Sequence, residues 1–152
     1  FHEALQPSFR EYIKSVLENA KILSETLKNN GFKIFSGGTD THLMLVDLRH
    51  FKVTGKAAEV SLCNSNITCN KNGIPFDTEK MTITSGIRLG SQAATTRGFG
   101  LNEFKKVGEL ITKVIKGLST NPEDNTKTES EVRKEVIELC SKFPIYNHLF
   151  KN

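Results

Sequence analysis

Ser85-Gly86-Ile87-Arg88-Leu89-Gly90, followed by Thr95-Thr96-Arg97-Gly98-Phe99, sets one arginine between glycines inside an otherwise apolar run. The run from Ile83 to Leu89 reads as an extended segment, and the small residues Ala93 to Thr96 as a tight or helical turn leading to Arg97. Downstream, Phe104, Val107, Leu110, Ile111, Val114 and Leu118 repeat at three and four, the stripe of an amphipathic helix with Asn102 as its N-cap. Asn121 to Lys127 is a polar linker, and Thr128-Glu129-Ser130-Glu131 has the spacing of a capping box for a last helix using Val132, Val136, Leu139, Cys140 and Phe143. Upstream, Leu43 to Leu48 is a strand rich in β-formers, Thr54-Gly55-Lys56 opens a brief helix through Leu62, and Ile67-Thr68-Cys69 is a short strand. Asn70-Lys71-Asn72-Gly73-Ile74-Pro75 carries the residues of a loop. Before these, Phe32 to Phe35 is a strand candidate, Ser36-Gly37-Gly38-Thr39-Asp40 a turn, and Phe9, Ile13, Val16, Leu17, Ala20, Leu23 and Leu27 the stripe of a long helix stopped by Asn30-Gly31. Long helices at both ends of a few short strands predict an α+β layered domain, not a doubly wound parallel sheet.

A guanidinium presents a planar fork that suits a carboxylate or phosphate bidentately, and flanking glycines let a ligand approach closely. Arg88 is therefore the leading ligand contact; the alternative on residue type is a structural salt bridge. His42, in Asp40-Thr41-His42, reads as a hydrogen-bonded turn histidine before a catalytic base, and His2, His50 and His148 are assigned to the surface.

The 152 residues suit one compact unit, and 37% hydrophobic with 25% charged residues is ordinary globular composition. The net charge of +4 is spread among interleaved glutamates, as in Glu131-Val132-Arg133-Lys134-Glu135, so no basic face for nucleic acid is expected. No apolar stretch approaches the ~20 residues of a membrane span. Cys63, Cys69 and Cys140 have neither disulfide nor zinc spacing, so no metal is expected; Cys63 and Cys69 read as small buried residues in a reducing compartment. No dinucleotide fingerprint, Walker pattern or hydrolase triad is present. The chain opens on Phe1 and not on methionine, from which the expectation is a piece of a longer protein.

Taken together, the motifs resemble the C-terminal part of serine hydroxymethyltransferase, a pyridoxal-phosphate enzyme of the aspartate-aminotransferase fold type. Ser36-Gly37-Gly38-Thr39-Asp40-Thr41-His42-Leu43 with Leu45-Val46-Asp47-Leu48 is similar to the family's S-G-G-T-D-N-H-L…L-V-D-L, and Thr54-Gly55-Lys56 to its T-G-K. Asn70-Lys71-Asn72 is similar to its N-K-N, Ser85 to Gly90 to its S-G-[IL]-R-[LIV]-G, Thr96-Arg97-Gly98-Phe99 to its closing T/S-R-G-F, and Phe143-Pro144 to its late F-P. The chain departs from the family at Thr41, where asparagine is usual, and at Gly90-Ser91-Gln92-Ala93, where G-T-P-A is usual and the proline's φ restraint is lost.

The resemblance implies a small C-terminal domain with a short, mostly antiparallel sheet covered by helices: residues 1–31 a long helix leading from the large domain, residues 32–152 the small domain. For the intact enzyme it implies reversible conversion of serine and tetrahydrofolate to glycine and 5,10-methylenetetrahydrofolate, with pyridoxal phosphate bound mainly outside this segment. The bond broken at Cα must then stand perpendicular to the pyridine plane, which requires a grip on the amino acid's carboxylate. Arg88 matches the family's carboxylate clamp, and Arg97 its second arginine, read as supporting substrate binding or as a structural ion pair. Asn72 matches the asparagine that hydrogen-bonds folate; Asn70 and Lys71 carry less weight. No threonine-rich segment with the cofactor lysine is present, so no catalytic residue and no cofactor-binding residue is assigned here and the isolated domain is expected to be inactive. Its partners would be serine or glycine, folate, its own large domain and further copies in a homodimer or tetramer, in the cytoplasm or, for a second form, the mitochondrion. The rival readings are another enzyme of the same fold type, such as an aminotransferase, and a non-catalytic interaction domain.

Overall fold

The computed structural model describes residues 1–146; His148 lies outside the described residues. Helix α1 (Pro7–Asn29) opens on a proline whose missing N–H costs nothing in a first turn. It closes where Gly31, at φ 92°, lets its own N–H reach Lys28 O at 3.0 Å and the Phe32 N–H reach Leu27 O at 3.1 Å. Val16, Ala20, Leu23 and Leu27 are buried on its inner face.

Four strands follow: β1 (Lys33–Ile34), β2 (Leu43–Asp47), β3 (Asn70–Asn72) and β4 (Gly86–Gly90). They form one antiparallel sheet in the order β1-β2-β4-β3. Side chains alternate across a strand, so Met44, Val46, Ile87 and Leu89 enter the core while Leu43, Leu45, Arg88 and Gly90 share the opposite face. Helices α2 (Gly55–Asn64), α3 (Gln92–Arg97), α4 (Leu101–Thr120) and α5 (Thr126–Ser141) complete the α+β layers. Helix α4 is the centre of the helical layer, burying Phe104, Leu110, Ile111, Val114, Ile115 and Leu118 against α1, α2 and α5. Each such fully buried side chain contributes about 1.5–3 kcal/mol of transfer free energy.

Several boundaries differ from the sequence reading, each for a local reason. The third strand is Asn70–Asn72, not Ile67–Cys69, and so falls in the stretch read as a loop. Ile67 and Cys69 pack against the core, while Glu59 of α2 accepts the Lys71 N–H at 3.0 Å and fixes the polar stretch at the sheet edge. Helix α4 is capped at Gly100, whose N–H donates to Glu103 Oε2 at 2.9 Å, so Asn102 lies inside the first turn. Helix α5 starts at Thr126, two residues before the expected box, because Asp124 Oδ1 accepts the Thr126 N–H. Buried Asn125, donating to Ser61 Oγ and Val114 O, holds that start in place. Cys63 is exposed and not buried; Cys69 is half-buried. The turn without proline is secured by buried Ser91, whose Oγ donates to Val16 O at 2.7 Å and whose N–H donates to His42 O at 3.0 Å.

Candidate functional site

Arg88 stands in the middle of β4 on the face that the helices leave open, with Leu45 of β2 on one side and Asn70 of β3 on the other. Glycines make this register possible. A Cβ at Gly86 would collide with Ile74, the Val46 carbonyl and the Asn72 carbonyl, so only glycine lets β2, β4 and β3 close up beside the arginine.

The guanidinium is partly tethered and partly free. Its Nε donates to Asn70 Oδ1 at 3.2 Å, and Asn70 Nδ2 in turn donates to Lys71 O at 2.9 Å, which orients the amide. No ion pair engages Arg88 among the described residues, because the acids around the sheet are occupied elsewhere. Arg49 grips Asp47 through Nε and Nη2, the latter at 2.7 Å, and this hydrogen bonding holds the carboxyl below its ordinary range. Glu59 is held low first by the Lys71 N–H and then by Lys71 Nζ at 3.1 Å. Burial pushes the Asp77 carboxyl up, but the combined hydrogen bonds from Ser85 Oγ and from the Glu79, Ser85 and Ile74 N–H groups outweigh it and keep the group ionised.

A cavity of about 580 Å³ opens over Arg88, within the range of small-molecule sites, and Asn70, Leu43, Gly90, Gln92 and Thr96 also line it. Tyr12 of α1 ties down the α3 wall through its hydroxyl, 3.0 Å from Thr96 Oγ1. Cys69 also faces the cavity, and its thiol, pushed up to about 12 chiefly by burial, stays protonated and is a poor nucleophile. The arrangement is a fork whose two terminal nitrogens have no partner among the described residues, above a neutral, partly apolar wall, and its chemistry suits an anion.

The family model described as serine hydroxymethyltransferase matches residues 1–111, which contain all of this geometry. The chain belongs to the serine hydroxymethyltransferase family. A serine hydroxymethyltransferase of Pelagibacter ubique (strain HTCC1062) is 78% identical over 149 residues, 98% of this chain and 34% of that protein. One from Paramagnetospirillum magneticum (strain ATCC 700264 / AMB-1) is 64% identical over 146 residues, 96% of this chain and 34% of the relative. One from Marinomonas sp. (strain MWYL1) is 58% identical with the same coverage. The chain thus spans about a third of the length of the curated relatives it matches.

Against the serine hydroxymethyltransferase motifs, the structure brings Arg88 and Asn70 together and sets Asn72 one face-repeat further along β3, opposite Gly86. Asn72 Nδ2 donates to Gly73 O at 2.8 Å, leaving its Oδ1 and second amide proton without a partner among the described residues. Lys71 alternates to the helical side and pairs with Glu59. Arg97 does not line the cavity: its Nε donates to Phe143 O at 2.7 Å and its Nη2 to Cys140 O at 3.1 Å, tying α3 to the end of α5. His42 is half-buried and holds the turn through its carbonyl. Sequence reasoning gave one contributor too little weight and missed another. Asn70 as the tether of Arg88 becomes visible only once β3 and β4 are in register, whereas Asp77 had a local signal, an aspartate two residues after Pro75 in a turn-rich stretch.

Proposed function

We propose that this chain is the C-terminal, substrate-gripping domain of a serine hydroxymethyltransferase that interconverts serine plus tetrahydrofolate with glycine plus 5,10-methylenetetrahydrofolate. The observation that carries the reading is Arg88, tethered at Nε and with both terminal nitrogens unpartnered among the described residues, over a cavity of about 580 Å³ that has room for an amino acid. A carboxylate accepting both free ends would be fixed in position and in plane, since the Asn70 tether limits rotation of the fork. Pyridoxal phosphate, when bound, supplies the electron sink for the bond broken at Cα. The residues here fit the amino acid and not the attachment of that cofactor, because Lys71 is committed to Glu59 on the other side of the sheet. The lysine that holds it belongs to a large domain outside these residues.

Asn72, with an acceptor and a donor unclaimed, suits the edge of the folate ring system. Arg97 acts here through α3, the wall of the cavity, and not by touching the substrate. In the same reading residues 1–31 lead from the large domain, the intact enzyme is a homodimer or tetramer, and its place is the cytoplasm, where free cysteines stay reduced. No helix among the described residues is long and apolar enough to cross a membrane.

In the full-length protein, Arg88→Lys replaces the fork by a point charge and should weaken serine binding about 10- to 100-fold, the ~1.5–3 kcal/mol of a charge-assisted pair, with cofactor absorbance intact. Unchanged serine affinity in a titration would overturn the assignment. Asn72→Ala should raise the folate requirement while leaving folate-independent cleavage of 3-hydroxy amino acids nearly unchanged; equal losses in both reactions would contradict its role.

A further inference from the structure

A second cavity, of about 530 Å³, lies between α1 and the turn Ser36–Thr41, and it shares no residue with the Arg88 site. Ser24, 2% exposed, lines it, and its Oγ has no hydrogen-bond partner among the described residues. A buried hydroxyl without a partner is rare, because it forfeits its hydrogen bonds to water. Lys21, Ser24 and Lys28 lie on one face of α1, about 10 Å from end to end at 1.5 Å per residue, with Glu25 beside them. The facing turn contributes Thr39 and Asp40, whose N–H groups make no hydrogen bond among the described residues. Lys28 donates to Gly37 O at 2.6 Å and so clamps the turn to the helix. Neither lysine forms an ion pair with Glu25 or Asp40.

We infer that this cavity is a second binding site, for a small zwitterion of the α-amino-acid class. Donors concentrate around Ser24, with Lys21 and the free turn N–H groups able to take a carboxylate, while Glu25 and Asp40 supply acceptors for an ammonium. A plain anion would meet the two acids uncompensated, and a plain cation the two lysines; a molecule carrying both charges satisfies both sets and the orphan hydroxyl together.

Amide NMR of the chain during titration with glycine tests this, with acetate and methylammonium as single-charge controls. An Arg88→Ala background removes any response of the other site and keeps the two questions separate. Glycine should shift the Ser24, Thr39 and Asp40 amides saturably, with a dissociation constant on the order of millimolar. Either control should produce at most a tenth of that affinity. Ser24→Ala should keep the fold, rise in thermal midpoint through loss of the orphan, and bind glycine at least about fivefold more weakly. Acetate binding as well as glycine, glycine binding unaffected by Ser24→Ala, or no shift of these amides would each overturn the inference; the last is what a single trapped water on Ser24 predicts.

Discussion

Arg88 owes its availability to a neighbour that carries no charge. Had an acid stood where Asn70 stands, the fork would be neutralised in place; the amide oxygen instead takes only Nε and leaves the two ends for a ligand. Asn70 is thus a positioning residue, and its loss should cost orientation and not charge. Asn70→Ala in the full-length protein should weaken serine binding by roughly fivefold, the ~1 kcal/mol of one neutral acceptor. Asn70→Asp should weaken it further, because the new carboxylate competes for the guanidinium. A serine titration in which the aspartate variant bound as well as the native protein would remove the tether from the argument. At this scale the sequence was informative about Arg88, whose glycine flanks are local. It gave Asn70 little weight and no link to Arg88, because a pairing between residues 18 apart depends on which residues of a polar stretch join the ladder.

The segment from Gly73 to Ser85 has no regular structure of its own, yet one side chain fastens it. Asp77 Oδ2 accepts from the Ile74 and Ser85 N–H groups, and Oδ1 from Ser85 Oγ and the Glu79 N–H, so both ends of the segment converge on one carboxylate next to β4. The folded state holds that carboxyl below its ordinary range, so it stabilises the fold at neutral pH and the stabilisation is lost as pH falls below the usual aspartate range. Asp77→Asn should lower stability by about 1–2 kcal/mol at pH 7, the lower part of the range for charged acceptors because the group is half-exposed. The difference from the native chain should shrink at pH 3. Denaturant midpoints at the two pH values measure both quantities, and an equal deficit at both would show that charge is not what fastens the segment. Elements with their own periodicity, α4 and the end of α1, could be read from the sequence to within two or three residues, whereas α1 starts only at Pro7 and not at residue 1. Elements fixed by a partner could not: β3 owes its place to Glu59 and β4, and the start of α5 to Asp124 and to Asn125 buried against Ser61 and Val114.

Across the described residues the sheet divides two environments, a helical core on one side and an open face bearing Arg88 on the other, and α3 borders that open face. That helix is six residues long, too short to hold itself, and it is braced at three points: Ser91 to Val16 of α1, Tyr12 of α1 to Thr96, and Arg97 to the end of α5. The Arg97 guanidinium sits on carbonyls at a helix C-terminus, where a positive charge is favoured, and Phe143 packs on Phe99 with ring centroids 4.9 Å apart. Read from the motif alone, Arg97 supports the substrate arginine and its loop or makes a structural ion pair; the tertiary packing of a helix more than forty residues away gives it main-chain carbonyls as partners. A brace and a substrate contact make different predictions without any substrate present. Arg97→Ala in this chain should lower stability by about 2 kcal/mol, the loss of two bonds from a charged donor, and lower the thermal midpoint by roughly 4–8 °C. In the full-length protein Arg97→Lys, which can still reach one carbonyl, should recover part of that stability and weaken serine binding far less than Arg88→Lys does. A variant as stable as the native chain, but as poor at holding serine as Arg88→Lys, would return Arg97 to the substrate.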